Sequence, residues 1–128
     1  MRSTTLKELE WIHDCALNGV LYDTSSGSSR SIRLMMRCPS DLGYAPWEGK
    51  NVVLVAVDVA VSIYTTWGVA APETIDAIRP GVSTTIQEST VKARRMGARF
   101  PGLEFTISFH SGSVLEVICQ DVQVGLVS

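Results

Sequence analysis

Three adjacent residues, His13, Asp14 and Cys15, place an imidazole, a carboxylate and a thiol side by side near the start of the chain. An imidazole can activate a neighbouring thiol as a nucleophile, and both groups are common metal ligands. Adjacent residues on a helix point about 100° apart, so these three cannot form a triad among themselves. The alternative is structural, with a packing or hydrogen-bonding role for His13, a turn at Asp14 and burial of Cys15.

Two further residues are candidates for an enzyme or a small-ligand pocket on the predicted sheet. Asp58 stands in a valine-rich run, where a carboxylate is costly unless it is solvated or paired. His110 ends an alternating segment beside Ser111 and Ser113, but the G-x-S-x-G motif of a serine hydrolase is absent. The alternative for His110 is the exposed shoulder of a hairpin. The catalytic hypothesis therefore rests on four residues: His13, Cys15, Asp58 and His110.

The spacing of the potential ligands indicates no cofactor or metal site. Cys15, Cys38 and Cys119 include no C-x-x-C pair, and a metal site that also used the two histidines would need distant positions to converge. Neither G-x-x-x-x-G-K-[ST] nor G-x-G-x-x-G occurs, so no phosphate-binding loop is predicted. The N-terminus lacks the apolar stretch of a signal peptide, and we expect a cytoplasmic protein with reduced thiols.

A second group of residues suggests contact with another macromolecule. Trp47 and Trp67 flank the valine-rich segment, and Trp is frequent at interfaces because it is large and keeps a polar N–H. Tryptophan in a small domain also caps the end of a core, and that alternative stays open. Four cations lie within eight residues: Lys92, Arg94, Arg95 and Arg99. They form either a docking patch for an acidic protein or phosphate-bearing ligand, or a solvated helix face.

Composition excludes several classes of protein. The 128 residues include 11 basic and 13 acidic side chains, whereas a nucleic-acid binder carries clustered positive charge. Hydrophobic residues at 45% exclude intrinsic disorder. The most apolar run, Val52–Val57, is far shorter than the roughly 20 residues of a membrane helix. We expect one domain over residues 1–128, with neither a nucleic-acid nor a membrane partner.

Local signals predict short helices. Thr5–Glu8 has the form of a capping box, and the apolar spacing that follows predicts a first helix of about two to three turns. Pro72 and Glu73 suit the first turn of another helix, which Pro80-Gly81 ends. The segment 82–98 is ambiguous, because a second capping box and good helix formers surround a β-favouring Ser-Thr-Val.

Alternation of apolar and polar residues predicts the strands. Gly19–Asp23 and Ser31–Cys38 form a hairpin around a flexible serine-rich loop at 24–29. Val52–Tyr64 is predicted as one long central strand that bends or bulges near Asp58. In the last third, Leu103–Cys119 forms a second hairpin.

The register of that second hairpin follows from its faces. A two-residue turn would mix apolar and polar faces, whereas an odd-length loop pairs Phe109 with Leu115, Ile107 with Val117 and Phe105 with Cys119. The sum is an α+β fold, with a mainly antiparallel sheet of about five or six strands and one to three short helices. A β-sandwich is the structural alternative.

The order of features resembles a family of small bacterial proteins of the immunity-protein type. The resemblance rests on a short helix leading into His13–Leu17, a first hairpin, Trp47-x-Gly49-Lys50 before a long apolar strand, and the Phe109–Ser113 hairpin turn. It covers most of the chain, although the motifs are short. It implies a non-catalytic cytoplasmic protein that binds and neutralises a cognate toxin, and it transfers no functional residue.

Taken together, the sequence predicts a cytoplasmic binding protein without catalytic activity, acting through protein–protein contact or self-association. The alternative is a small enzyme or small-ligand binder that uses the four residues of the catalytic hypothesis. A strand as apolar as Val52–Ile63 needs cover on most of both faces. Because two or three short helices cannot supply all of that cover, we expect a surface shared with a protein partner or a second copy.

Overall fold

The protein is mostly β-structure. A computed structural model describes residues 1–26, 29–43, 46–65, 73–97 and 102–127. The expected α+β class with five or six strands is wrong, because nine strands form one antiparallel sheet. The strands are β1 (Arg2–Ser3), β2 (Ala16–Ser26), β3 (Ser29–Arg37), β4 (Asn51–Val57), β5 (Val61–Thr65), β6 (Glu73–Pro80), β7 (Leu103–Phe109), β8 (Val114–Cys119) and β9 (Asp121–Leu126).

The described helices are a 3-10 helix, Lys7–Ile12, and one α-helix, α1 (Thr84–Arg95). The first capping box forms in part, since the Thr5 hydroxyl accepts a hydrogen bond from the Glu8 amide at 3.3 Å. The six residues of the 3-10 helix make about two turns, at the lower end of the expected length. The chain leaves the helix before Asp14, which has a left-handed φ of 67° and whose amide donates to the Ile75 carbonyl of β6. Within the ambiguous segment 82–98, the described residues form α1.

The sheet has the order β1-β9-β4-β3-β2-β6-β7-β8-β5 and folds over on itself. Strands β2 and β6 join the two halves through just two residue pairs, Ala16 with Thr74 and Leu17 with Glu73. Side chains of both halves line one small central cavity: Ile32, Leu34, Leu54, Ala56, Phe105, Leu115 and Val117. The halves therefore face each other as the layers of a sandwich do, although both belong to one hydrogen-bonded sheet.

The valine-rich segment is two strands instead of one. Strand β4 pairs with β3 and β9 in the first half, whereas β5 pairs with β8 in the second. The chain crosses between the halves at Asp58, which has a left-handed φ of 52°. The expected bend is therefore a complete break. Residues Val52–Ala56 are all buried within this chain, so the need for a second chain to cover them is not supported.

The helix expected after Pro72 is wrong. Glu73–Pro80 is a strand that pairs with β7, and Pro72 itself lies outside the described residues. A bulge between Ile75 and Ala77 interrupts the register. Ile75 is fully buried and Ile78 also packs against the core. The bulge thus gives a strand the three-residue apolar spacing that is typical of a helix.

The two predicted hairpins form, with one difference in register. Strands β2 and β3 pair, and residues 27–28 of the expected loop lie outside the described residues. Strands β7 and β8 pair with the expected faces, but Ile107 lies opposite Leu115 and Phe105 opposite Val117. Each partner on β8 is thus two residues earlier than predicted. The turn is tighter than expected, because the Phe109 amide donates to the Ser113 carbonyl at 2.9 Å.

Candidate functional site

Of the four residues of the catalytic hypothesis, His13, Cys15 and His110 lie around Asp14, which His110 contacts, whereas Asp58 lies elsewhere. His13 is exposed, and its Nδ1 lies 2.9 Å from the Glu10 carbonyl oxygen. Asp58 follows the end of β4 that pairs with Ser31, whereas Cys15 lies at the other end of β3, next to Cys38. Seven residues of strand separate these ends by about 20 Å. Asp58 and Cys15 therefore cannot act on one substrate atom.

His110 lies between two carboxylates. Its Nε2 is 3.1 Å from Asp14 Oδ1, and its Nδ1 is 4.0 Å from Asp76 Oδ1. In the described part of the chain, no hydroxyl or thiol forms a hydrogen bond with the ring. The contact with Asp14 ties the β7–β8 turn to the segment that precedes β2.

A serine–glutamate cluster beside this turn was not predicted. The Ser111 hydroxyl donates to Glu73 at 2.8–2.9 Å, and the Ser113 hydroxyl lies 3.3 Å from the same carboxylate. Burial and the charge of Glu73 raise the pKa of Tyr64. The hydrogen bond between Tyr64 and Ser113 lowers it in part. The hydrogen bonds to Glu73, together with one from the Ser111 hydroxyl to Ser113 at 3.0 Å, attach the β7–β8 turn to β6.

Cys15 and Cys38 form a buried thiol pair, with the Cys15 thiol donating to the Cys38 sulfur at 3.2 Å. Cys38 was not among the predicted site residues. The register in which Gly19 pairs with Met35 would, if continued toward the start of β2, place Ala16 opposite Cys38. A bulge at Asn18 shifts the pairing by one residue, so that Cys15 lies opposite Cys38 instead. The pairing therefore depends on an irregularity that strand alternation does not reveal.

The environment of each cysteine sets its proton affinity. The hydrogen bond with Cys38, together with burial, raises the pKa of Cys15. The hydrogen bond that Cys15 donates lowers the pKa of Cys38, against the effect of burial, and the charge of Arg37 lowers it further. Cys119 is separate from this pair, contacts the Asp121 carbonyl, and has a pKa raised to about 11 by burial. Cys38 is thus the thiolate-forming member of the pair.

Of the two tryptophans predicted to contact a partner, Trp47 is described and Trp67 is not. Trp47 is 7% exposed and stacks on Trp11 with 5.6 Å between ring centroids. Both rings border a cavity of about 410 Å³, whose other lining residues are Arg2, Ser3, Thr4, Glu8 and Val124. Trp47 therefore packs in the core beside Trp11, and this cavity is one route by which a partner could reach it. A partner contact by either tryptophan stays a prediction.

Helix α1 lies on the outer face of the second half of the sheet. Its Ile86 packs with Val82, Ile118 of β8 and Val61 of β5 in a small second core. The Ser83 amide at its start donates to the Glu116 carboxylate of β8 at 2.7 Å. Apolar packing and a charge-assisted hydrogen bond thus hold the helix in a defined position above β8 and β5.

Between α1 and β5 runs an apolar groove of about 310 Å³. It is lined by Val61 and Ile63 of β5 and by Thr85, Ile86, Ser89, Thr90 and Ala93 of α1. Ile63 is 45% exposed. Strand β5 is the last strand of the sheet, and no other described strand pairs with its outer edge. We call this feature, with the adjoining edge of β5, the α1–β5 groove.

Three of the four predicted cations lie in the last turn of α1: Lys92, Arg94 and Arg95. Arg94 is 3.9 Å from Glu104 of β7 in a half-exposed ion pair. Arg99 lies outside the described residues. Thr85 and Ser89 line the groove, and Lys92 continues their row at helical spacing. Lys92 is exposed and therefore stands at the end of the groove.

The described residues contain neither a membrane-spanning helix nor a metal-binding cluster. No helix there is long and apolar enough to span a membrane. No group of three or more His, Cys, Asp or Glu side chains there is arranged to hold a metal ion. The chain matches no protein-family model, no curated protein and no solved structure.

Proposed function

We propose that this protein is a non-catalytic binding protein that holds an extended segment of a protein partner in the α1–β5 groove. One observation carries the proposal: an edge strand with an exposed isoleucine lies directly beside an apolar groove. An unpaired strand edge offers backbone N–H and C=O groups to an added strand. A groove next to that edge supplies specificity by accepting alternate side chains of the added strand.

The lining of the groove selects the chemistry of the segment. Val61, Ile63, Ile86 and Ala93 surround it with hydrocarbon, so an aliphatic side chain of the partner is favoured there. Burying one such side chain contributes about 1.5–3 kcal/mol. Ile86 and Ser83 attach the helix that forms one wall of the groove to β8 and β5.

The cations at the end of α1 favour an acidic partner over a second copy of this chain. Lys92 follows Thr85 and Ser89 of the groove at helical spacing, whereas Arg95 lines a neighbouring depression of α1 that Lys92 also borders. An acidic residue next to the partner's aliphatic side chain would meet the Lys92 charge. In a two-fold dimer the groove would face its own copy, and none of the described residues that line it is acidic and could pair with Lys92 of that copy. The partner is therefore proposed to be an extended, acidic and aliphatic segment.

The earlier hypotheses relate to this proposal in different ways. The resemblance to immunity-type proteins implies that the bound segment belongs to a toxin. The binding site on this chain would be the same. The enzyme alternative has less support, because His13, Cys15 and His110 form no hydrogen bonds with one another and Asp58 lies far from Cys15.

A selection from a random peptide library displayed on phage tests the proposal. The purified protein is the target, and the Ile63→Lys variant serves for counter-selection. We expect enriched peptides that alternate aliphatic and polar residues and include Asp or Glu. Fluorescence anisotropy with a labelled synthetic copy should show binding at least roughly tenfold weaker to Ile63→Lys than to the wild type.

The matched control is Leu21→Lys, which adds the same charge at a residue of β2 that is 49% exposed. This variant should bind the selected peptide as the wild type does. Peptides that bind Ile63→Lys and the wild type equally would overturn the proposal. A concentration-dependent dimer that Ile63→Lys dissociates, measured by sedimentation velocity, would replace the partner by a second copy.

A further inference from the structure

Cys15 and Cys38 are placed opposite each other at the end of the β2–β3 ladder. Neither backbone hydrogen-bonds to the other: the Cys15 amide donates to Ile12, and the Cys38 amide donates to Lys50. Directly opposed residues that lack mutual backbone hydrogen bonds have the closest side chains in an antiparallel pair. Their Cβ separation in such a pair lies near the range that a disulfide requires.

We propose that Cys15 and Cys38 form a reversible oxidation site, at which a peroxide converts the two thiols into an intramolecular disulfide. The proposal is independent of the α1–β5 groove, because it concerns other strands and its readouts need no partner. It goes beyond the expectation of three reduced thiols, which was based on the expected cytoplasmic location.

The two sulfurs have different roles. Cys38 accepts the hydrogen bond from Cys15, so a negative charge on Cys38 is stabilised while Cys15 keeps its proton. The lowered pKa of Cys38 and the raised pKa of Cys15 agree with this polarity. Cys38 is therefore the nucleophile toward the oxidant, and Cys15 is the resolving thiol.

The reaction balances in two steps. The Cys38 thiolate attacks one oxygen of hydrogen peroxide, the O–O bond breaks, and the leaving hydroxide takes a proton to become water, which leaves a Cys38 sulfenic acid. The Cys15 sulfur then attacks the Cys38 sulfur, the S–O bond breaks, and hydroxide leaves with the Cys15 proton as a second water. Two thiols are oxidised, and one peroxide is reduced to two waters.

Burial limits the rate but permits the reaction. Cys15 and Cys38 are 0% and 1% exposed, yet each follows an exposed residue, Asp14 and Arg37. Access for a small peroxide therefore requires local opening of the chain where the β2–β3 ladder ends. Cys119 is equally buried but contacts the Asp121 carbonyl instead of a thiol, so it provides an internal reference.

Peptide mapping after peroxide treatment tests the site in the wild-type protein. The protein is oxidised with hydrogen peroxide, alkylated under denaturing conditions, digested without reductant and examined by mass spectrometry. We expect a linked Cys15–Cys38 peptide, an alkylated Cys119, and loss of the link on treatment with dithiothreitol. Thermal unfolding of the oxidised protein should occur at higher temperature, because the bridge restricts the unfolded chain.

Two variants complete the test. Cys119→Ser should form the same link, and Cys15→Ser should leave a Cys38 sulfenic acid that dimedone traps, since the resolving thiol is absent. The proposal is overturned if peroxide leaves all three thiols alkylatable, oxidises Cys119 before the pair, or links separate molecules. The wild-type map decides this even if Cys15→Ser fails to fold.

Discussion

The Asp14 carboxylate lies 3.1 Å from Nε2 of His110, although 96 positions of sequence separate the two residues. The contact joins the left-handed turn before β2 to the turn between β7 and β8. The His110 amide also donates to the Thr74 carbonyl of β6 at 2.9 Å, so backbone and side chain hold the same corner. The histidine therefore connects three segments from distant parts of the chain.

Removing this ion pair should change stability only slightly. His110 and Asp14 side chains are 52% and 62% exposed. Exposed ion pairs contribute no more than about 1 kcal/mol and are screened by salt. We expect His110→Gln to lower the free energy of unfolding by less than about 1 kcal/mol in urea titrations at low salt, with a smaller difference at high salt. A much larger, salt-independent loss would show that the imidazole has another structural role.

Asp58 should tolerate only residues that accept a left-handed backbone. At φ 52°, a β-branched side chain clashes with its own backbone, whereas Asn and Gly do not. Asp58→Val should therefore reduce the free energy of unfolding by about 1–2 kcal/mol more than Asp58→Asn does. Chemical denaturation of both variants measures the difference. Equal stabilities would contradict the backbone explanation and point to the carboxylate instead.

Trp47 should contribute strongly to stability, because its ring is buried against Trp11. Truncation to Ala removes the stack and leaves a cavity, for which a loss of about 3–5 kcal/mol is typical. Trp47→Phe should lose less, since an aromatic ring remains. The control is Met96→Ala at a side chain that is 82% exposed. If Trp47→Ala were as stable as this control, a partner contact would be the better explanation for the tryptophan.

Cys119 should make stability depend on pH above neutrality. Burial raises its pKa from 9.0 to about 11, so the folded state holds the thiol proton more tightly than the unfolded chain. The contribution of this proton to the free energy of unfolding is complete below pH 9 and is lost as pH rises through about 11. Between about pH 8 and 11, the wild type should lose about 2 kcal/mol more than Cys119→Ala.

Parallel pH series of urea unfolding for the two proteins provide this measurement. The cavity that Cys119→Ala creates lowers stability by a constant amount at every pH, so only the slopes are compared. Parallel curves would show that the thiol has the same proton affinity in the folded and unfolded states.

Strand alternation predicted the parts of the fold that depend on local pattern. The β2–β3 and β7–β8 hairpins have the expected faces, because one-residue slips would bury polar side chains. Strand alternation did not predict the positions at which the backbone is irregular. The bulge beside Ala77 gives Ile75 and Ile78 the spacing of apolar residues on a helix. The positive φ of Asp58 divides into two strands a segment whose composition predicts one. Such distortions are decided by tertiary partners.

The candidate sites depend on contacts between distant segments. Cys15 and Cys38 were both visible in the sequence, but their pairing needs the bulge at Asn18. The α1–β5 groove needs α1 to lie over β5, and the segment that forms α1 was ambiguous in the sequence. The cations Lys92, Arg94 and Arg95 were identified, yet only the position of the helix relates Lys92 to an apolar groove.

The crossing at Asp58 also determines how the fold comes apart. Strands β4 and β5 are separated by just three residues, but each takes its hydrogen-bond partners from a different half of the sheet. Pulling either strand from its neighbours therefore strains the other through a linker too short to absorb the movement. Neither half is an autonomous unit that can unravel while its counterpart persists, so the described strands should melt in one cooperative transition.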